Sequence, residues 1–499
     1  MARVSVVHPP AAAEALRRPR DNLLVRERAS GDGVFTHEHG PFRHYERRLR
    51  VGDDGTIEET TSFVTAAPFW GLVFVPLFRS AFRRADPGRP WWAPPDRLDE
   101  RAARVLSLLL SISLVAGYLG TVLTQTATFA SDEFEISTGA QSVLLGSVRL
   151  SILVLIPLVS RADRFGRRRL ITIAAVGGIV ATALGAFSPG VVALGVTQTV
   201  SRGFAGGLAL LVAIMSAEEM PAGSRAWAYS LIAMTQALGA GTCLWVLPIA
   251  DLGLRAWRIL YLIPLAYLVV VVLVARYLPE SRRFAAPHVE APMAGHGRRF
   301  WLLAVTGLTL AFFASPASQL GNEFLRDERG FSAADVTVFT LLTATPAAIG
   351  VIAGGHLADV RGRRVVGAVG IIGGTLLTVA AFASAGGALF AFTLLGNVLA
   401  ALTVPALGVY RPELFPTSLR GRAAGVIELL AVAGASAGLL AVGLSVDAGA
   451  SFGQAFAFAA VLPLIGAVLV LTRFPETAHR SLEDINPEDR TPQASRDTP

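Results

Sequence analysis

The sequence contains a single cysteine, Cys243, and no lysine among its 499 residues. One cysteine cannot form an intramolecular disulfide, and the eight histidines are scattered, so neither a disulfide framework nor a metal site is predicted. Without lysine the phosphate-binding pattern G-x-x-x-x-G-K-[ST] is impossible, and no combination of nucleophile, base and oxyanion donor is visible. These absences argue against an enzyme, and no cofactor is predicted.

Charged residues are also scarce, making up 16% of the chain against 53% for hydrophobic residues. This composition excludes an ordinary water-soluble protein. The positive side of the net charge of +7 comes entirely from 44 arginines. We attribute this to residue usage rather than to a nucleic-acid-binding surface, so no nucleic-acid partner is predicted.

Twelve apolar segments of about 20 residues recur along the chain, each long enough to cross the ~30 Å hydrocarbon layer of a lipid bilayer as a helix. A bilayer offers no partners for backbone polar groups, so these segments must be helical. We place the spans at 104–130, 138–160, 168–188, 190–215, 226–250, 257–278, 300–321, 333–357, 365–385, 388–411, 422–446 and 452–473.

The arginines orient these spans, because short cytoplasmic loops are enriched in positive charge. If the region before the first span is cytoplasmic, the opposite side holds only Arg255, Arg258, Arg326 and Arg329. This asymmetry predicts a multi-pass protein of the cytoplasmic membrane with both termini inside. The polar first 60 residues predict no secretory signal peptide.

Residues 1–103 form a long cytoplasmic extension. The run HYERRLRVGDDGTIEETTSF carries the turn signal Asp53-Asp54-Gly55 between two strand-like runs and predicts a hairpin. The apolar run at 63–84 contains two prolines, and we interpret it as an interfacial or re-entrant helix whose Arg79, Arg83 and Arg84 meet the headgroups. The alternative is a thirteenth span, which would place the ten arginines of residues 1–62 outside.

Three charged motifs occur twice, at nearly one spacing. RADRFGRRR ends the second span and LADVRGRR the eighth, EEMPAGSR follows the fourth and ELFPTSLR the tenth, and PESRR follows the sixth and PETAHR the twelfth. Two six-helix halves, 104–278 and 300–473, are therefore predicted, joined by a central cytoplasmic loop at 279–299 and followed by a cytoplasmic tail at 474–499. An even number of spans returns the chain to the same side, so the halves are parallel repeats. The tail is polar from about residue 478, and we expect it to be disordered.

This pattern resembles the major facilitator superfamily, and within it the sugar porters and related metabolite symporters. The resemblance covers about residues 104–486 and rests on the duplicated motifs. It implies an all-α integral membrane protein with twelve transmembrane helices in two six-helix parallel repeats, the major facilitator fold. Residues 1–103 lie outside the family pattern.

All three motifs fall on the cytoplasmic face, where the halves must meet and part. We interpret them as a gate in which Arg167, Arg168, Arg363 and Arg364 engage Glu218, Glu413, Glu280 and Glu476, because an arginine fork can bridge carboxylates. Asp163 and Asp359 are predicted near helix N-termini, and Gly166 and Gly362 in tight turns. Arg164, Arg225 and Arg420 complete the predicted network. The alternative interpretation makes these charges topological anchors only.

Polar residues inside spans are candidate substrate contacts, since the site of a two-half transporter lies near the midplane between the halves. The candidates are Tyr118, Gln125, Gln236, Gln319, Asn322 and Asn397. By resemblance to the sugar porters, which place glutamine and asparagine in the fifth and seventh spans, Gln236, Gln319 and Asn322 are the most suggestive. The alternative is that such residues hydrogen-bond neighbouring helices.

Three ionisable residues fall inside spans, where burial is costly and function is the default hypothesis. Arg149 lies in the second span, Arg202 in the fourth and Glu428 in the eleventh. We predict that Glu428 is a protonatable group and that Arg149 or Arg202 binds an anion or takes part in coupling. The alternative makes Glu428 part of the cytoplasmic network and the arginines structural.

The leading hypothesis is a secondary active transporter that moves a small hydrophilic metabolite, sugar-like or an organic acid, by alternating access, with protons as the candidate coupling ion. Two alternatives stay open: efflux of amphipathic drug-like compounds, and a transporter-like sensor or scaffold with residues 1–103 as the effector. The predicted partners are a small-molecule substrate and the lipid bilayer. The sequence leaves the oligomeric state open.

Overall fold

The computed structural model describes residues 1–84, 90–136, 144, 148–285 and 292–489. Most of this chain is helical, and the strands are confined to the N-terminal extension.

The extension folds into a five-stranded antiparallel sheet. Its strands are β1 Ala2–His8, β2 Arg26–Gly31, β3 Val34–His39, β4 Phe42–Val51 and β5 Ile57–Thr65, in the order β1-β5-β4-β3-β2. Strands β4 and β5 pair from Phe42 with Thr65 to Val51 with Ile57, around the turn expected at Asp53-Asp54-Gly55. Three strands that the sequence analysis did not anticipate extend this hairpin.

One face of the sheet is covered, half by a helix and half by a loop. Helix α1, Gly71–Phe82, buries Phe78 and Phe82 against Phe42 and Phe63. At 12 residues, or about 18 Å, α1 is too short to cross a bilayer, and residues 57–65 form β5. The thirteenth-span alternative for 63–84 is therefore wrong.

The other half of this face is polar and lies under the loop that follows β1. Arg47 and Glu27 form a fully buried ion pair at 2.6 Å, and the Arg47 guanidinium also donates to the carbonyls of Leu16 and Arg18. Burial raises the pKa of the Tyr45 hydroxyl well above its ordinary value, so this group stays protonated and donates to Glu27 at 2.6 Å. These bonds fasten the loop to the sheet.

Eleven helices among the described residues are long and apolar enough to cross a membrane. They are α2 Glu100–Phe134, α4 Arg167–Gly185, α5 Val191–Glu219, α6 Ala222–Leu252, α7 Trp257–Tyr277, α8 Gly297–Glu328, α9 Asp335–Arg361, α10 Arg363–Phe382, α11 Gly386–Glu413, α12 Arg420–Asp447 and α13 Phe452–Arg473. The second predicted span, 138–160, lies partly outside the described residues; its described part is a short turn at Val148–Ser151 and helix α3, Ile152–Phe165.

Helices α2 to α7 form one half of the protein and α8 to α13 the other. The same pair packs at the centre of each half: α2 against α6 in the first, and α8 against α12 in the second. The halves meet mainly where α3 crosses α12 and where α6 crosses α9.

The tail beyond α13 is ordered as far as Asp489, so the expected disorder from about residue 478 is wrong there. It contains a short helix, Leu482–Ile485, and a turn at Pro487–Asp489. Leu482 and Ile485 are buried against the second half, which explains why this polar segment is held in place.

Candidate functional site: a gate and a cavity between the halves

Two aspartates occupy equivalent positions in the two halves. The Asp163 carboxylate, at the end of α3, accepts hydrogen bonds from the backbone N–H groups of Gly421 and Arg422 at 3.1 and 3.2 Å. The Asp359 carboxylate, at the end of α9, accepts from Ala226 and Trp227 at 3.2 and 2.8 Å. Each aspartate thus caps the first turn of a helix in the opposite half, where free N–H groups and the helix dipole favour a carboxylate.

Two arginine–glutamate pairs cross between the halves at the same level. Arg420 of the second half binds Glu218 of the first at 2.8 Å, and Arg225 of the first half binds Glu413 of the second at 3.1 Å. Each glutamate also receives an arginine from its own half, because Arg167 lies 3.1 Å from Glu218 and Arg363 contacts Glu413. Glu218 and Glu413 are therefore each bound by one arginine from each half.

These side chains are almost completely buried. Burying a charge is costly unless it is paired and hydrogen-bonded, and removing one partner of a buried pair typically costs about 3–5 kcal/mol. The network is therefore stable only while the halves are together at this end, as they are in this structure. Parting them exposes all of its charges to water.

Glu280 and Glu476 have a different role from the one expected. Their carboxylates accept from the backbone N–H groups of residues 167 and 168 and of residues 363 and 364, so they cap the first turns of α4 and α10. Gly166 and Gly362 precede these turns at φ 89° and 101°, and a Cβ on Gly166 would overlap the Glu280 carboxylate. Glycine is required there both by backbone conformation and by space.

The guanidinium groups of Arg168 and Arg364 bind backbone carbonyls rather than these glutamates, so this part of the predicted gate is wrong. The Arg168 side chain donates to the carbonyl of Ala275 at 2.6 Å, and that of Arg364 donates to the carbonyl of Leu471. Both reach the last turn of a neighbouring helix, where carbonyls lack intrahelical partners. Arg164 is exposed at the end of α3.

The tail adds contacts to the gate that the sequence analysis missed. The Asp489 carboxylate binds Arg420 at 2.7 Å and accepts from the backbone of Thr417, and Glu483 pairs with Arg283. The carbonyl of Arg480 accepts from Arg225 at 3.1 Å. The acidic residues of SLEDINPED were the available signal, but their partners lie far away in the sequence.

A cavity of about 350 Å³ lies between the halves, toward the middle of the helices. Its lining brings together all three ionisable residues predicted inside spans, Arg149, Arg202 and Glu428, with the candidate Gln236. Small residues of α2 and α5, including Gly120 and Ala205, form much of the remaining wall and leave the space open.

Within the part of the chain that the structure describes, both arginines of the cavity donate to hydroxyl groups. The Arg202 guanidinium donates to Thr124 at 2.8 Å, and its Nε is buried without a partner. The Arg149 guanidinium donates to Ser436 in the opposite half. Among the described residues, neither guanidinium lies within ion-pair distance of a carboxylate, so the cavity carries two positive charges that lack a counter-ion.

Glu428 is neutralised by a residue that the sequence analysis missed. The Arg411 guanidinium donates to its carboxylate at 2.5 Å. Arg411 lies at the end of α11, two residues before Glu413 of the gate. The pair therefore connects the cavity wall to the gate.

The other substrate candidates do not gather in this cavity. Tyr118 is buried inside the first half, where its hydroxyl donates to the carbonyl of Leu260 at 2.8 Å, so it is not a cavity residue. Gln319 is exposed and donates to Ser315, and Gln125 is half-buried in α2. Asn322 and Asn397 line a separate cavity of about 440 Å³ within the second half, where the Asn397 amide donates to the carbonyl of Thr343.

The sequence matches known transporters in its second half and over most of its length. Residues 302–495 match the sequence profile of the Major Facilitator Superfamily. Over 367 residues the chain is 25% identical to the cis,cis-muconate transport protein of Acinetobacter baylyi, covering 67% of this chain and 86% of that protein.

Solved structures of transporters share the fold. The human organic anion transporter MFSD10 (TETRAN) aligns with 74% of this chain and 99% of its own at 17% identity and a TM-score of 0.61. The proton:xylose symporter XylE covers 77% of this chain and 98% of its own at 18% identity and a TM-score of 0.63. FucP in its outward conformation covers 74% and 98% at 13% identity and a TM-score of 0.62.

Proposed function

We propose that this chain, whose residues 302–495 match the Major Facilitator Superfamily and whose fold is that of its transporters, is a secondary active transporter for a small organic acid in its anionic form. The observation that supports this proposal most directly concerns Arg149 and Arg202. Both face one cavity, and neither has a carboxylate partner among the described residues. Two uncompensated charges in a site of low dielectric attract an anion strongly. An arginine fork also matches the geometry of a carboxylate.

The name of the muconate transport protein points in the same direction, because muconate is an organic acid. A dicarboxylate could engage one arginine with each end. Both arginines belong to the first half, and Arg149 also donates to Ser436 in the second half, so a bound anion would lie beside a contact between the halves.

Protons are the proposed coupling ion, and Glu428 with Arg411 is the proposed coupling pair. Protonation of Glu428 would remove its attraction for Arg411 at 2.5 Å. Arg411 precedes Glu413 of the gate by two residues, so its release would act on the backbone that holds the gate. This gives proton binding in the cavity a physical route to the cytoplasmic end.

A sugar-like substrate is the second candidate. It is favoured by Gln236, whose amide lines the same cavity and can both donate to and accept from a hydroxyl group. The two symporters with the same fold are named for xylose and fucose. Localisation in the cytoplasmic membrane with both termini inside is likewise a proposal, supported by the arginine distribution.

Binding is tested by the thermal stability of the purified protein with muconate, other mono- and dicarboxylates, pentoses, hexoses and amphipathic cations. A ligand of the native state at 100 times its Kd should add about 2.7 kcal/mol to the free energy of unfolding. We expect saturable stabilisation by carboxylates. Arg149→Gln or Arg202→Gln should weaken binding about 10-fold to 100-fold through loss of a charge-assisted hydrogen bond.

The matched control is Arg255→Gln, since the Arg255 side chain is 82% exposed and lies outside the cavity. Stabilisation by sugars alone would favour the second candidate, and stabilisation by amphipathic cations alone would favour efflux. Saturable binding without flux in proteoliposomes would favour the sensor hypothesis.

A further inference from the structure

The geometry of the N-terminal extension points to a second binding surface: we propose that the open face of α1 lies in the bilayer interface and binds anionic phospholipid headgroups. The surface consists of Phe69, Leu72 and Val73 at the start of α1, and Arg79, Arg83 and Arg84 at its end. We call it the α1 lipid face. This role is separate from the proposed transport of organic acids.

The α1 lipid face is exposed because α1 packs on the sheet with its opposite side. Phe78, Ala81 and Phe82 point into the sheet, whereas Leu72 is 91% exposed. Phe69 is half exposed at a φ of 70°, a conformation that a bulky residue rarely adopts. An apolar group of this kind at the start of a short helix indicates a surface that meets lipid or a partner.

The position of Trp70 decides in favour of lipid. Its indole N–H donates to the Ser111 hydroxyl of α2 at 3.1 Å, and the Ser107 hydroxyl donates to the carbonyl of Pro68. Ser111 lies seven residues, or about 10 Å, beyond Arg104, after which α2 carries no charge until Asp132. The start of α1 is therefore held at the level where the uncharged stretch of a membrane-spanning helix begins, which is the level that tryptophan prefers.

The three arginines lie at the other end of α1, on the same open side. All are exposed, and none forms an ion pair among the described residues. A helix with apolar residues in its first turn and arginines in its last matches a bilayer interface when it is tilted, with its start among the acyl chains and its end among the phosphates. Anionic lipid is favoured because each arginine near such a surface adds attraction.

Depth is tested in the full-length protein with Cys243→Ala, which removes the only cysteine. A bimane label on Leu72→Cys should be quenched by lipids with brominated acyl chains. The same label on Val51→Cys, which is 62% exposed at the far end of the β4–β5 hairpin, should not be quenched. A label at residue 72 that is as unquenched as the one at 51 would overturn the proposal and leave the face for a soluble partner.

Lipid preference is tested with brominated phosphatidylglycerol against brominated phosphatidylcholine. We expect the first to quench the label at residue 72 at a lower mole fraction. Arg79→Gln, Arg83→Gln and Arg84→Gln together should raise that fraction by at least about tenfold. The control is Arg3→Gln, Arg28→Gln and Arg50→Gln, an equal loss of charge on the uncovered face of the sheet. Equal quenching by both lipids, or an equal effect of the two triple variants, would contradict a specific headgroup site.

Discussion

Single side chains in the gate differ in what they contribute. Arg225 and Arg420 pair across the halves, whereas Arg168 and Arg364 only cap neighbouring helices. Burial separates the two groups, since Arg225 and Arg420 are enclosed, whereas Arg168 is exposed and Arg364 is half-buried. All of these arginines stand in the duplicated sequence motifs, so the sequence does not separate them. The fold shows which of their charges hold the halves together.

Asp163→Asn should reduce transport more than it weakens substrate binding. The variant loses the negative charge that faces the first turn of α12 and pairs with Arg167 at 3.6 Å, and loss of a favourable charge at a helix end costs about 0.3–2 kcal/mol. The closed gate is destabilised, while the cavity is untouched. Initial uptake rates and substrate Kd, measured side by side, check this split. Asp132→Asn at the exposed outer end of α2 is the control, and unchanged flux in Asp163→Asn would leave the residue only a topological role.

Glu428→Gln should abolish accumulation driven by a pH gradient while exchange of substrate persists. Glutamine keeps the size of the side chain but cannot take up the proton, and it breaks the charge pair with Arg411. Uptake under an imposed gradient and counterflow without one are the two measurements. Normal accumulation by the variant would remove Glu428 from the coupling mechanism.

At the scale of whole helices, the crossing of α3 and α12 is one of the two main contacts between the halves. Gly421 lies directly over the Val159 carbonyl, so that an added Cβ would overlap this oxygen. The crossing therefore requires glycine at this position.

Gly421→Ala should shift the protein toward the state that is open at the gate end. Spin labels on Arg164→Cys and Arg361→Cys, exposed at the ends of α3 and α9, report the separation of the halves in the Cys243→Ala background. We expect a longer distance in Gly421→Ala. Gly443→Ala, in the same helix with no atom close to the added methyl group, is the control. An unchanged distance would contradict the importance of this crossing.

The spans were predictable because hydropathy and helix length determine them, and the twelve-helix interpretation agrees with the described helices. The sheet was harder, since only β4 and β5 are joined by a short turn that the sequence displays. Strand β1 pairs with β5 across more than fifty residues, and β2 is short and mostly exposed. Pairings of this kind depend on tertiary contacts rather than on local pattern.

Candidate site residues divide in the same way. Arg149, Arg202 and Glu428 were identifiable because a charge in a span is rare, and the fold brings them to one cavity. Tyr118 was misjudged because a polar group in a span can equally bond a neighbouring helix. Arg411 was missed because it lies near a predicted helix end, where arginine is ordinary.

At the scale of the whole molecule, the tail joins both halves when the gate is closed. It binds Arg420 of the second half through Asp489, Arg225 of the first half through the carbonyl of Arg480, and Arg283 of the central loop through Glu483. The gate is thus built from the repeats and from the tail that follows the second repeat.

Ending the chain after Ala478 should loosen the closed gate. The shortened protein loses the pairs of Asp489 with Arg420 and of Glu483 with Arg283, so the labels at residues 164 and 361 should move apart in a larger fraction of molecules. A chain that ends at Asp489 keeps these pairs and is the matched control. Identical distance distributions for the two shortened proteins would show that the tail does not support the gate.

We propose that the two arginines of the cavity bind a small carboxylate and that the protein transports it. The most direct measurement is uptake of labelled muconate and of labelled xylose by proteoliposomes under an inward proton gradient, with wild type, Arg149→Gln, Arg202→Gln and Arg255→Gln. We expect saturable muconate uptake by wild type and Arg255→Gln, and its loss in both cavity variants. Uptake of xylose but not of any carboxylate, or carboxylate uptake that survives both cavity substitutions, would contradict this proposal.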